Sequence, residues 1–421
     1  LEKGYYEPEM RRRYSLLLLW LLWAVSVAVA PSGASAREID GQNAGGAYYH
    51  ISVPDNWNGD LVIWNHGFSL SEPGPRPDLG PLVDVQLLEG YAVAASSFRL
   101  NGWALFKSTA DLRQLVQVFT AEIGRPQRII LYGASLGGAV TAAALEQGIP
   151  GNVVGALTYC GAMAGSRNWD VALDLRLLYD LVCEGMPGGE IPGGPKGLPK
   201  NSAWTDDAIE DAVNACTGVN EPSFLRTARQ KKNLKRILDL AKIPRAFLVQ
   251  DMLFATEAMA DLVHDPQKLR SKPGTGNQNV VYGDTYVDAN IRRVKAKPNK
   301  QKKLARYFTP KGDINGAKIV SMHTSKDGLV LVENQSIYAQ VVPPQNLTTV
   351  IARESVATHC VFTPGEILAG WEALRDWIDT GEQPTARDIQ ATCKAIPVLG
   401  EVCRIDPDFK LPDPDKRMRP R

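Results

Sequence analysis

Between Arg128 and Leu145 the chain reads RIILYGASLGGAVTAAAL, and no other stretch restricts its fold so tightly. Four apolar residues, Ile129 to Tyr132, lead into Gly133-Ala134-Ser135-Leu136-Gly137-Gly138, and a small-residue run with helical character follows at once. A buried strand that becomes a helix within one or two residues needs glycine, because the tight turn requires backbone angles that a Cβ disfavours. Strand, Gly-x-Ser-x-Gly, helix is the pattern of a nucleophile elbow, a strained turn that lifts a serine hydroxyl above the end of a sheet. With 37 glycines in the chain, the five-residue motif alone says little. Its flanking strand and helix give it weight.

The surrounding chain repeats the same rhythm. Apolar runs at 48–53, 61–65, 91–96, 128–132 and 153–159 predict strands, with helices over 108–123 and 136–147. This alternation predicts an α/β fold with a mostly parallel sheet flanked by helices. After Gly165 the rhythm breaks into a Pro/Gly-rich loop, GMPGGEIPGGPKGLPK, an amphipathic stretch at 224–241 and the basic run RRVKAKPNKQKK. Strand character returns at 317–322 and 348–353, and a helix follows over 366–380. Residues 37–165 and 313–421 are therefore expected to form one domain, with 166–312 inserted as a cap (lid) over the sheet's C-terminal edge, where α/β sheets bind ligands. A length of 421 residues suits a domain carrying such an insertion. The net charge of +1 gives no reason to expect nucleic acid or an acidic membrane surface as partner, so the basic run reads as a solvated face.

Residues 1–36 are set apart from the fold. Arg11-Arg12-Arg13 precede a Leu/Trp/Val/Ala run from Leu16 to Ala30, and Pro31-Ser32-Gly33-Ala34-Ser35-Ala36 follow. That is the order of a signal peptide: basic region, apolar region, small-residue cleavage site. The apolar run is shorter than the roughly 20 residues of a membrane span, so no stable anchor is expected after cleavage. Met10 reads as the start, with LEKGYYEPE upstream of it. The expected location is outside the cytoplasm, extracellular or periplasmic. In an oxidising compartment, Cys160, Cys183, Cys216, Cys360, Cys393 and Cys403 suggest disulfides, and no spacing among them suits zinc. Cys393 with Cys403 would staple the C-terminal tail, and Cys183 with Cys216 would close a loop, although six cysteines allow 15 pairings.

A serine hydroxyl is a poor nucleophile without a base, and the chain holds five histidines: His50, His66, His264, His323 and His359. In the elbow architecture an acid and then the base follow the serine at the ends of later strands. His50 and His66 come too early, and His264 lies in the helical pattern ATEAMADLVH of the insertion. His359 follows the 348–353 strand by a short loop and precedes the last long helix, which makes it the expected base. Asp327, before Gly328 at the end of the preceding strand, is the expected acid, needed to fix the imidazole tautomer and stabilise the imidazolium. Glu354 and Asp313 are competing acids, and His323 is the competing base. Two backbone N–H groups are needed for the oxyanion: that of Leu136, next after the nucleophile, and that of Phe68 in the stretch LVIWNHGF, where Gly67 permits close approach. Gly67, Phe68 and Met163 are expected along the substrate cleft; Trp103 reads more readily as core.

Taken together, HG after an early strand, GASLGG, DG and a late histidine resemble the α/β-hydrolase superfamily, over most of the chain except the cap. The His359-Cys360 pair is also similar to the tannase and feruloyl-esterase group, whose members link a cysteine beside the histidine to one beside the serine. Here Ala134 precedes Ser135, so Cys160, at the end of the next strand, is one alternative partner for Cys360, and Cys393 and Cys403 are others. The resemblance implies a serine esterase or lipase type: Ser135 attacks a carboxylic ester, His359 moves the proton, and water cleaves an acyl-enzyme, with no metal or organic cofactor. The expected partner is a small-molecule or polymeric ester. An exported peptidase or amidase and a non-catalytic ligand-binding relative are the alternatives.

Overall fold

Strands that are apolar along most of their length must be covered on both faces, and this chain has a contiguous set of them. The structure is a computed structural model that describes residues 36–396 and 402–419. The expected leader and signal peptide lie outside the described residues, apart from Ala36.

The strands are β1 (Ala36–Gln42), β2 (Tyr48–Pro54), β3 (Leu61–Asn65), β4 (Ala92–Ser96), β5 (Ile129–Ala134), β6 (Val153–Tyr159), β7 (Lys318–Thr324) and β8 (Leu347–Ala352). They form one sheet in the order β1-β2-β4-β3-β5-β6-β7-β8. β1 pairs antiparallel with β2, and β2 antiparallel with β4; every other pairing is parallel. Chain direction across the sheet therefore reverses at β3, which has β4 on one side and β5 on the other. A crevice forms at the carboxyl ends of strands at such a switch point.

Alternate residues of the parallel strands feed two cores. Leu61, Ile63, Ile129 and Leu131 point to one face, where they meet α2 (Ser108–Glu122) and α3 (Leu136–Gln147). Val62, Trp64, Ile130 and Tyr132 point to the other, against α1 (Val83–Leu88), α12 (Pro364–Thr380) and α13 (Ala386–Ala395). α12 starts two residues before the expected 366: Pro364 occupies its first turn, Thr363 and Glu366 form a capping box, and Gly381 closes it with φ 84°.

Between β6 and β7 the chain is mostly helical: α4 (Arg167–Val182), α5 (Asp206–Thr217), α6 (Ala228–Ala241), α7 (Leu248–Leu253), a π-helical turn (Phe254–Ala258), α8 (Met259–His264), α9 (Thr285–Asn290) and α10 (Pro298–Arg306); α11 (Glu333–Val341) joins β7 to β8. Leu175, Tyr179, Ile209, Val213, Ile237, Leu248 and Met252 build a separate small core there, and the Cys183–Cys216 disulfide ties α4 to α5. The Cys393–Cys403 pair also forms, as the spacing suggested.

Candidate active site

The elbow is built by backbone contact. Ser135 sits between β5 and α3 at φ 56°, ψ −122°, a conformation that L-residues occupy only under constraint, at a cost of about 1–3 kcal/mol. Its N–H donates to the Tyr159 carbonyl at 2.8 Å, and its own carbonyl accepts from Gly138 and Ala162, each at 3.1 Å. A Cβ on Gly137 would land on the Asn65 carbonyl oxygen, and one on Gly138 would lie 2.6 Å from the Gly161 Cα. The two glycines let α3 press against the end of β3 and against the loop after β6, which leaves the serine half-buried at the top of the turn.

Two irregular loops bring the other side chains to it. Asp327 follows β7, and His359 follows β8. His359 Nε2 lies 3.0 Å from Ser135 Oγ, and His359 Nδ1 lies 2.9 Å from both Asp327 oxygens. These partners assign the tautomer: Nδ1–H donates to the carboxylate and the serine O–H donates to Nε2. Asp327 is almost fully buried, and its carboxylate also accepts from the N–H groups of Leu329 (3.0 Å), Val330 (2.8 Å) and Cys360 (3.2 Å). Its orientation is thus fixed from both neighbouring loops. The loops themselves join through Gly328 N–H to the Thr358 carbonyl at 2.9 Å.

Cys360 forms a disulfide with Cys160, the residue after β6. Cys160 N–H donates to the Met322 carbonyl of β7 at 2.8 Å, so the cross-link anchors the histidine loop to the sheet beside the elbow. Of the partners open to Cys360, the structure selects Cys160.

The competing residues are occupied elsewhere. Glu354 accepts from the Thr358 hydroxyl and from Lys326 N–H, and Asp313 is exposed on the loop before β7. His323 is fully buried in β7 with Nε2 2.7 Å from the Val330 carbonyl; burial holds its pKa below the usual value, against the pull of Asp327. His66 lies between the Gly67 and Ser97 carbonyls and stacks on Phe98, and His50 contacts Glu38. His264 ends α8, with Nδ1 3.4 Å from Ser271 Oγ.

The loop after β3 reaches the serine. A Cβ on Gly67 would stand 3.6 Å from Ser135 Cβ. Phe68 N–H has no acceptor among the described residues, and Leu136 is the first residue of α3, where an N–H has no intrahelical partner. Phe68 is half-buried and meets Phe254 edge-on at 5.4 Å between ring centroids; Phe254 stacks on Trp169 at 4.8 Å, and Trp169 meets Trp103 at 5.3 Å. Trp103 is core, as expected. Met163 has no exposed surface and packs where Gly138 meets Gly161, beneath the elbow.

No family model matches the chain, and no curated protein matches it. Solved structures do. An esterase from Aspergillus oryzae is 14% identical with a TM-score of 0.44, the match covering 83% of this chain and 80% of that one. An esterase from Pyrococcus furiosus is 13% identical with a TM-score of 0.41, covering 83% and 92%, and Candida antarctica lipase A in its closed state is 11% identical with a TM-score of 0.41, covering 83% and 78%. The strand order, the switch point at β3 and the serine elbow on β5 carry the assignment. The chain has the α/β-hydrolase fold.

Within this α/β-hydrolase fold two groups near the candidate site come from the segment between β6 and β7 and carried no motif. Phe254 belongs to the π-helical turn, and Asp251 lies one helical turn before it. The pattern Phe247, Asp251, Phe254, Ala258 falls on one helical face and is the one sequence signal that could have found them.

Proposed function

We propose that this α/β-hydrolase is an exported serine hydrolase of carboxylic esters, with Ser135 as nucleophile, His359 as general base and acid, and Asp327 as the group that holds the imidazole. The observation that carries the reading is the ordered relay from Ser135 Oγ to His359 Nε2 at 3.0 Å and from Nδ1 to Asp327 at 2.9 Å.

In the first step the serine proton passes to His359 Nε2 while Oγ bonds to the ester carbonyl carbon. The carbonyl electron pair moves onto oxygen, and the N–H groups of Leu136 and Phe68 receive that charge; losing one such donor typically costs about 10²–10³ in rate. When the tetrahedral species collapses, the bond to the alcohol oxygen breaks and His359 returns its proton to the leaving alcohol. Water then gives a proton to His359 and attacks the acyl-serine, and collapse releases the acid and restores the Ser135 hydroxyl. Asp327 takes no part in the proton transfers; its three backbone donors hold it in place against Nδ1.

The arrangement of residues 37–165 and 313–421 as the catalytic unit, with 166–312 as its cap, belongs to the same proposal. Export is supported by three disulfides that use all six cysteines.

Turnover of p-nitrophenyl acyl esters of graded length, compared with aminoacyl anilides, tests the reaction class. Ester hydrolysis that is lost in Ser135→Ala is the expected result. Faster anilide cleavage would make the protein a peptidase, and no turnover of either would make it a binding protein.

A further inference from the structure

Asp251 sits in α7 as an acid with no evident structural task. Among the described residues its Oδ2 is shielded from solvent and has no hydrogen-bond partner. A buried acceptor left without a partner is destabilising, so its presence calls for an explanation.

Its position supplies one. Leu248 and Met252 turn into the small core of the insertion, while Phe247, Asp251 and Phe254, at spacings of four and three, share the other face. The ends of that face rest on the two loops that frame the candidate site. The Phe247 ring packs on Gly328, beside Asp327, so closely that no Cβ fits there, and Phe254 meets Phe68, beside Gly67. The stretch 247–254 thus lies across the site from the acid loop to the oxyanion loop, and Asp251 falls between its two anchor points. Phe68, Ser135, Asp251, Phe254 and His359 all keep partial accessibility, as residues bordering a cleft do. A π-helical turn begins at Phe254, and such turns are frequent at functional sites.

The surroundings restrict what the carboxyl can take. Burial pushes its pKa well above the usual carboxylate range; the charge of Arg417 opposes that shift and the charge of Asp327 adds to it. Among the described residues Arg417 makes no ion pair with Asp251; its ion pair, at 3.5 Å, is with Glu333. A positive charge is therefore already nearby, and the missing element is a hydrogen-bond donor. A protonated carboxyl offers both a donor and an acceptor, which a hydroxyl matches.

The geometry points to Asp251 as a specificity-determining residue of the cleft, hydrogen-bonding a hydroxyl group carried by the substrate near its ester bond. This rests on the serine-hydrolase reading above, and the test separates the two. kcat/KM is measured for p-nitrophenyl 2- and 3-hydroxybutyrate against p-nitrophenyl butyrate, which places the hydroxyl on the acyl side. Monobutyrin against propyl butyrate places it on the alcohol side. The expected result is a preference of about tenfold or more for the hydroxylated member of one pair. Asp251→Leu is expected to remove that preference, and Asp251→Asn, which still donates and accepts, is expected to keep most of it. Equal turnover within both pairs by the wild type, or a preference that survives in Asp251→Leu, would overturn the proposal while leaving the triad reading intact. A stronger preference for p-nitrophenyl 3-aminobutyrate would also overturn it, by making the site one for a cation. Absence of ester turnover by the wild type, or turnover that survives in Ser135→Ala, would bring down both readings. The wild-type ratios stand as a test even if a variant fails to fold.

Discussion

Ser135 and His359 meet at 3.0 Å although 224 positions separate them, and they are held in place by different means. The serine is fixed by its own neighbourhood: β5 before it, α3 after it, and glycines that admit backbone where any side chain would collide. The histidine stands on an irregular loop and is fixed from a distance, by Asp327, by the Gly328 to Thr358 hydrogen bond and by the disulfide from Cys360 to Cys160, 200 positions apart. Local geometry can be specified by a short motif. A loop cannot supply its own rigidity and borrows it from covalent and charged partners elsewhere in the chain.

The contrast predicts different failures. Gly137→Ala drives a methyl group into the Asn65 carbonyl oxygen beneath the elbow, so the largest effect is expected there: loss of the folded state, read as a collapsed far-UV dichroism signal and little soluble protein. A folded Gly137→Ala variant would show that the elbow is less constrained than the contacts imply. On the other side, Asp327→Asn is expected to leave the fold in place and lower kcat by about 10⁴-fold, since the imidazole loses its oriented tautomer. A loss of less than tenfold would remove Asp327 from the relay.

Removing the cross-link sharpens the comparison further. The double substitution Cys160→Ser with Cys360→Ser frees the histidine loop but leaves the elbow untouched. It is expected to lower kcat by about 10²-fold through misplacement of the imidazole. Stability is expected to fall by about 2–5 kcal/mol, read by denaturant titration. Unchanged kcat with lowered stability would make the disulfide purely structural.

The smallest effect is one of stability and runs the other way. Asp251 has a folded-state pKa raised by burial, so its contribution is least unfavourable below the unfolded carboxylate pKa and worsens as pH rises toward the folded value. Asp251→Leu is therefore expected to raise Tm by a few degrees at neutral pH and by less at acidic pH. A lowered Tm at neutral pH would mean that the carboxyl has a partner after all.

The same distinction decided what the sequence disclosed. β2 to β8, α2, α3 and α12 were legible to within a residue or two, because their buried runs and glycine turns are local signals. β1 was not: AREIDGQ is an exposed edge strand whose only commitment is to pair with β2, so it lacks a continuous apolar run. Asp327 and His359 were reachable by elimination, since five histidines and a fixed order of strand ends leave few choices. Phe254 and Asp251 offered only a shared helical face with Phe247 and Ala258, and their place beside the site comes from Phe68 and Gly328, loops of another part of the chain. The Cys160–Cys360 pairing was one option among several until coordinates placed the ends of β6 and the histidine loop side by side.

The most direct test of the relay is mass spectrometry of the intact protein after exposure to a serine-directed fluorophosphonate, with the modified peptide sequenced. The account predicts a single adduct, on Ser135, absent in Ser135→Ala and formed about 10²-fold or more slowly in His359→Gln. An adduct on another residue, or labelling of Ser135 at an undiminished rate without the His359 imidazole, would contradict it.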